Sequence, residues 1–107
     1  MSNLKEHDWV VGELELYITN DYDIYTEFLE PAYKACEKSS DKGTFNYSLA
    51  LRLFKSIVNY GANKYKRELD KSIKATMKAQ TQVALNLLND WEREYKLGNR
   101  YTSDNWK

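Results

Sequence analysis

The sequence predicts a single all-α domain, a bundle of three or four helices with a long helix at its C-terminal end. Three observations carry that expectation. A chain of 107 residues fits one domain and can hide roughly 65% of its unfolded surface, enough for one core. Only four Gly and one Pro interrupt it, too few turn signals for a sandwich or barrel. Apolar residues recur at helical spacing along most of its length, and three Trp, nine Tyr and three Phe supply large buriable areas that a disordered chain lacks.

The elements follow in order. In residues 9–20, Val10, Leu14 and Ile18 recur every four residues, while Leu14, Leu16 and Ile18 also alternate with polar neighbours. Periodicity alone leaves helix and strand open. No second alternating segment exists to pair with a strand, so a helix is favoured despite Gly12. Asn20 and Asp21 supply a turn and an N-cap, after which Ile24, Phe28, Leu29, Ala32, Tyr33 and Cys36 form an amphipathic face. Pro31 lies within this helix and predicts a kink or restart near Leu29 and Glu30, because it lacks a backbone donor and crowds the preceding turn. Residues 39–43, SSDKG, read as a loop.

Thr44 is placed to cap a helix over 45–60, where polar residues are confined to a narrow stripe of Arg52, Lys55, Ser56 and Asn59. A helix apolar almost all round belongs at the centre of a bundle. Gly61 is then its end or a hinge. A final helix over 64–97 presents Ile73, Met77, Ala84, Leu87, Leu88, Trp91 and Tyr95 on one face and stops at Gly98. Residues 1–7 and 99–107 read as loose ends, with Trp106 able to dock back on the body. Trp91, Tyr95, Phe28, Phe45 and Phe54 fall in apolar phases and belong to the core, whereas Tyr17, Tyr22, Tyr47, Tyr65 and Tyr101 are too many for so small a domain to bury together.

Composition narrows function. With 16 bases, 16 acids and one His the formal net charge is zero, which excludes a uniformly basic nucleic-acid binder and a uniformly acidic mimic. The balance conceals segregation. Residues 1–43 hold ten acids and four bases, a net −6; residues 44–88 hold eight bases and two acids, a net +6; residues 89–107 hold four of each. The single Cys36 has no intramolecular disulfide partner and no leader-like apolar run follows Met1, so a reducing cytoplasm is expected. No apolar run approaches the roughly 18–20 residues of a membrane span.

No cofactor or metal is expected. One Cys and one His cannot supply a zinc site, the acids lack calcium-loop spacing, and no Gly-rich phosphate loop is present. Cys36 lies in an apolar phase, far in sequence from His7, so it reads as core and not as a nucleophile. The chain therefore reads as a non-enzyme.

Two charged constellations remain. Lys64, Arg67, Lys71, Lys74 and Lys78 are spaced 3, 4, 3 and 4, so a continuous helix would line them on one stripe, with Tyr65 and Lys66 adjoining. Such a stripe could follow a phosphate backbone or meet an acidic protein surface, although Glu68 and Asp70 also make it an ordinary solvated face. Asp23, Glu27, Glu30 and Glu37 run along one side of the second helix, interrupted by Lys34, and offer the matching acidic side. The two sides could also pair within one molecule, or between two copies in a homo-oligomer.

Trp9, Leu14, Leu16, Ile18, Asn20, Asp21 and Tyr25, about a sixth of the chain, resemble the N-terminal signature of small uncharacterised bacteriophage proteins. In that signature a Trp is followed by an aliphatic helix, an Asn-Asp break and a Tyr on the next helix. The resemblance implies an α-helical fold and a phage or mobile-element setting, and brings no catalytic residues. The expected function is thus a non-enzymatic accessory protein that binds and modulates a host or defence-system protein in the host cytoplasm, for instance as an inhibitor of a nucleic-acid-targeting system. A small nucleic-acid-binding protein using the 64–78 stripe is the alternative.

Overall fold

The computed structural model of the chain describes residues 2–101. Among them there is no strand, and four long helices pack around one core. The first, α1 (Ser2–Asn20), settles the helix-or-strand question for residues 9–20: Val10, Leu14 and Ile18, each four residues apart, are all fully buried. Alternation of Leu14 and Leu16 carried no strand information, because Leu16 points to solvent. Residues 2–7, expected to be loose, belong to this helix.

Asp21 ends α1 and caps the next helix, its Oδ1 accepting the Ile24 N–H at 2.9 Å. A three-residue α2 (Tyr22–Ile24), a π-helical turn (Tyr25–Leu29) and α3 (Glu30–Asp41) then run without a break. Proline explains the wider turn. Pro31 cannot donate to the carbonyl four residues back and its ring would strike it. Widening the spiral by one residue removes that conflict, with the Glu30 N–H bonding five residues back to Tyr25. The expected irregularity at Leu29 and Glu30 is therefore a π turn immediately before the proline. The inserted residue rotates everything downstream by about 100° relative to a straight helix.

Gly43, at φ 73°, terminates α3 in the left-handed conformation that favours glycine. Thr44 does not cap the following helix. Its hydroxyl donates to the Ser39 carbonyl, and Asn46 is the cap, accepting from the Leu49 N–H at 3.1 Å. The central helix α4 (Tyr47–Glu68) runs straight through Gly61, which is neither end nor hinge. Gly61 is where α1 crosses most closely: a Cβ there would lie 2.5 Å from Cγ1 of Ile18. As expected of a central element, α4 packs against α1, α3, the π turn and α5.

The helix expected over 64–97 is in fact the end of α4, a connection over 69–76, and α5 (Met77–Lys96). Local side-chain bonds win over helix continuation in the connection. Asp70 accepts both the N–H and the hydroxyl of Ser72, at 2.9 and 2.6 Å, and Thr76 accepts the Ala79 N–H at 3.1 Å as the N-cap of α5. Ile73 is buried and pins the connection to the core. At its other end α5 stops as expected at Gly98, φ 93°.

Phe54 and Trp91 are core residues as expected, and Phe45 stacks on Trp91 with ring centroids 5.3 Å apart. Phe28 departs from expectation and sits at the surface. Residues 99–101 are docked, not frayed: Tyr101 stacks on Tyr33 at 5.0 Å and its N–H donates to Glu37 at 2.6 Å. Trp106 lies outside the described residues.

Candidate functional site: the outer face of helix α4

The basic stripe inferred from spacing does not exist as such, and the acidic side loses Glu37 to the interior. Lys64 and Arg67 stand on α4, Lys71 and Lys74 in the connection, and Lys78 on α5, so the five cations form no helical stripe. Two of them are paired with acids of the N-terminal part. Lys64 donates to Asp21 Oδ2 at 2.7 Å, with both side chains about 15% exposed, and Lys74 lies 3.7 Å from Glu6. The Lys64 contact, with help from the Ile24 N–H, holds the Asp21 carboxyl below its usual range, and Asp21 in turn raises Lys64.

On the acidic side, Asp23 and Glu27 are exposed and Glu30 is half-buried beside Lys34. Glu37 is 1% exposed and accepts the Tyr101 N–H. The π turn is the reason: a helical wheel drawn straight across Tyr25–Leu29 misplaces α3 by one residue. Part of the segregated charge is thus consumed internally, with Asp21 and Glu6 meeting two of the five cations.

The surface left over lies on α4. From Tyr47 to Arg67 this helix carries five cations and no carboxylate, and its last residue, Glu68, accepts the Tyr17 hydroxyl at 3.0 Å. A helix so apolar was expected to be central and contacted on several sides. Even so, Leu49, Leu53 and Tyr60, at spacings of four and seven, share one outward stripe and are 56%, 42% and 42% exposed. Phe28 extends the stripe across to the π turn, its ring centroid 4.9 Å from that of Tyr60. Single exposed apolar residues are ordinary, whereas a contiguous apolar stripe edged by charge is the usual mark of an interaction surface.

Each flank of the stripe has a groove. Towards α3 a shallow apolar one of about 260 Å³ is lined by Ala35, Phe45, Leu49 and Leu53 among others. Towards α5 a groove of about 480 Å³ is lined by Arg52, Lys55, Ser56, Asn59 and Gln80 among others. Two residues of its lining, Asn59 and Gln80, belong to a relay of amides: Asn63 donates to Asn59, Asn59 to Gln80 at 3.1 Å, and Gln80 to the Ala75 carbonyl at 2.8 Å. It ties α4, α5 and their connection into one rigid surface. Sequence reading met Arg52, Lys55 and Asn59 only as the polar stripe of a core helix; the missing signal was that α1, α3, the π turn and α5 do not cover the whole circumference of α4.

Burial pushes the Cys36 thiol up to about 11, far from a reactive thiolate. Among the described residues no group of three or more His, Cys, Asp or Glu side chains could hold a metal ion, and no helix is long and apolar enough to cross a membrane. Compared with protein-family models, with curated proteins and with solved structures, the chain gives no match.

Proposed function

We propose that this chain is a non-enzymatic binding protein that docks an acidic surface of another protein on the outer face of α4. The observation that carries the reading is the exposed stripe of Leu49, Leu53 and Tyr60 on a helix with five cations and no carboxylate before its last residue. Apolar area supplies affinity on association, and a rim of one charge sign steers and selects a partner of the other. The resemblance of the Trp9 to Tyr25 segment to small bacteriophage proteins directs the search to host and defence-system proteins in the cytoplasm, and makes inhibition of such a protein the natural consequence of binding.

The test is capture of a partner from host lysate by three forms of the protein: wild type, the double variant Leu53→Asp with Tyr60→Ala, and Glu27→Lys as a control on the acidic side. The reading expects a stoichiometric partner with wild type and Glu27→Lys, and its loss with the α4 variant. A partner retained by the α4 variant and lost with Glu27→Lys would move the interface to the acidic side. Labelled DNA and RNA titrated at two salt concentrations test the alternative: salt-sensitive binding that Lys71→Glu with Lys74→Glu abolishes would make the chain a nucleic-acid binder. Light scattering at low and high salt tests self-association through the same charged surfaces.

A further inference from the structure

The groove between α4 and α5 has a chemistry of its own. Arg52 and Lys55 stand one helical turn apart on its α4 wall, and among the described residues neither meets a carboxylate. Ser48 and Ser56 line the same wall, and their hydroxyls are engaged by no described residue. The Asn59 and Gln80 amides are tied to each other, to Asn63 and to the Ala75 carbonyl, and each NH2 keeps a second N–H to donate. Half of the charged residues of this chain are acids, yet none lines this groove. A concavity of about 480 Å³ whose free polar groups are all able to donate is complementary to an oxyanion.

We propose that the α4–α5 groove is a phosphate-binding site. Ser48 and Ser56 stand about 12 Å apart along α4, so one bound group meets only one of them; two cations and one hydroxyl still exceed what the single charge of a carboxylate takes up, and they match the three oxygens and near-double charge of a phosphate monoester. The Arg52 fork can engage two of those oxygens and Lys55 acts as a compact second charge. Leu51 and the exposed Met77 form the apolar wall beside them, so the group that carries the phosphate has a surface to rest on, and the volume lies within the roughly 300–1,000 Å³ of small-ligand sites. The site shares Arg52 and Lys55 with the cations of the proposed docking face, and its test with inorganic phosphate needs no protein partner.

The experiment is an amide chemical-shift titration of the full chain with inorganic phosphate, run beside sodium chloride at matched ionic strength and sodium acetate. Saturable shifts confined to the Ser48–Asn59 and Met77–Gln80 segments are expected with phosphate, weakened about tenfold by Arg52→Gln and again by Lys55→Gln, and unchanged by Arg67→Gln. Shifts no larger than those with chloride, equal saturation by acetate, or indifference to both substitutions would overturn the site. Circular dichroism of the variants separates loss of the site from loss of fold. Phenyl phosphate and a short oligothymidylate then identify the source. Tighter saturation by phenyl phosphate assigns a free phosphate ester, and tighter binding of the oligonucleotide with a steep salt slope assigns a nucleic-acid backbone.

Discussion

Replacing Gly61 by Ala tests the packing that positions α4. In an exposed helix the change would stabilise by about 1 kcal/mol, because Ala is the better helix former. Here the added Cβ would lie 2.5 Å from Cγ1 and 2.8 Å from Cδ1 of Ile18, and 3.6 Å from Cδ1 of Ile24. Carbon atoms rest at about 3.5–4.0 Å, so α1 must shift by roughly an ångström or Ile18, which is fully buried, must leave its rotamer. Overpacking of that kind costs about 1–3 kcal/mol. Set against the propensity gain, the net expectation is a loss of about 1 kcal/mol. Gly12 is the internal control, since nothing lies within 4 Å of its missing Cβ and Gly12→Ala should stabilise by about 0.5–1 kcal/mol. Removing the obstacle should reverse the sign: in an Ile18→Ala background, Gly61→Ala should become stabilising. Urea unfolding of the wild type, the single variants and the double variant, analysed at a common m-value, reads all of this. Stabilisation by Gly61→Ala alone, comparable to that of Gly12→Ala, would refute the close crossing of α1 and α4.

Three further outcomes follow from the same contacts. Asp21→Asn keeps a capping side chain for the Ile24 N–H but removes the charge that meets Lys64. The Asp21 carboxyl is held below its ordinary value of 3.8, so its contribution is present above that value and lost as pH falls through the lower folded one. The variant should show a shallower loss of stability on acidification below about pH 5 than wild type, and equal slopes would contradict the pairing. Cys36, with its thiol raised to about 11, should ignore a disulfide reagent at neutral pH and react at once in urea; rapid reaction in the native state would place it at the surface. Thr76→Ala should cost about 0.5–2 kcal/mol by removing the cap of α5, whereas a neutral result would mean that α5 begins elsewhere.

Sequence and structure agree where one interaction dominates. The fold class, the core phase of α1, the Asp21 cap, the disturbance at Pro31 and the stop at Gly98 each rest on a single strong local cause, and each was legible. The α4–α5 connection was not, because it contains neither Gly nor Pro. Its break depends on Asp70 and Thr76 accepting from backbone N–H groups, on the Ser72 hydroxyl donating to Asp70, and on Ile73 finding the core. That one misreading turned five cations in three separate elements into a stripe. The displacement of Glu37 into the interior has a similar origin, since a π turn changes phase without changing composition. The exposed stripe of α4 was hidden for the opposite reason: its residues look like core, and only the number and placement of neighbouring helices decide which of them are left uncovered.

The most direct measurement is site-specific photo-crosslinking in host lysate, with the crosslinking side chain placed at position 53 in one preparation and at position 16 in another. Leu16 is 60% exposed and Leu53 42%, so hydrophobic stickiness alone favours position 16. Recognition through the basic, apolar face of α4 predicts a discrete adduct from position 53, suppressed by raised salt, and none from position 16. A discrete adduct from position 16 alone would contradict it.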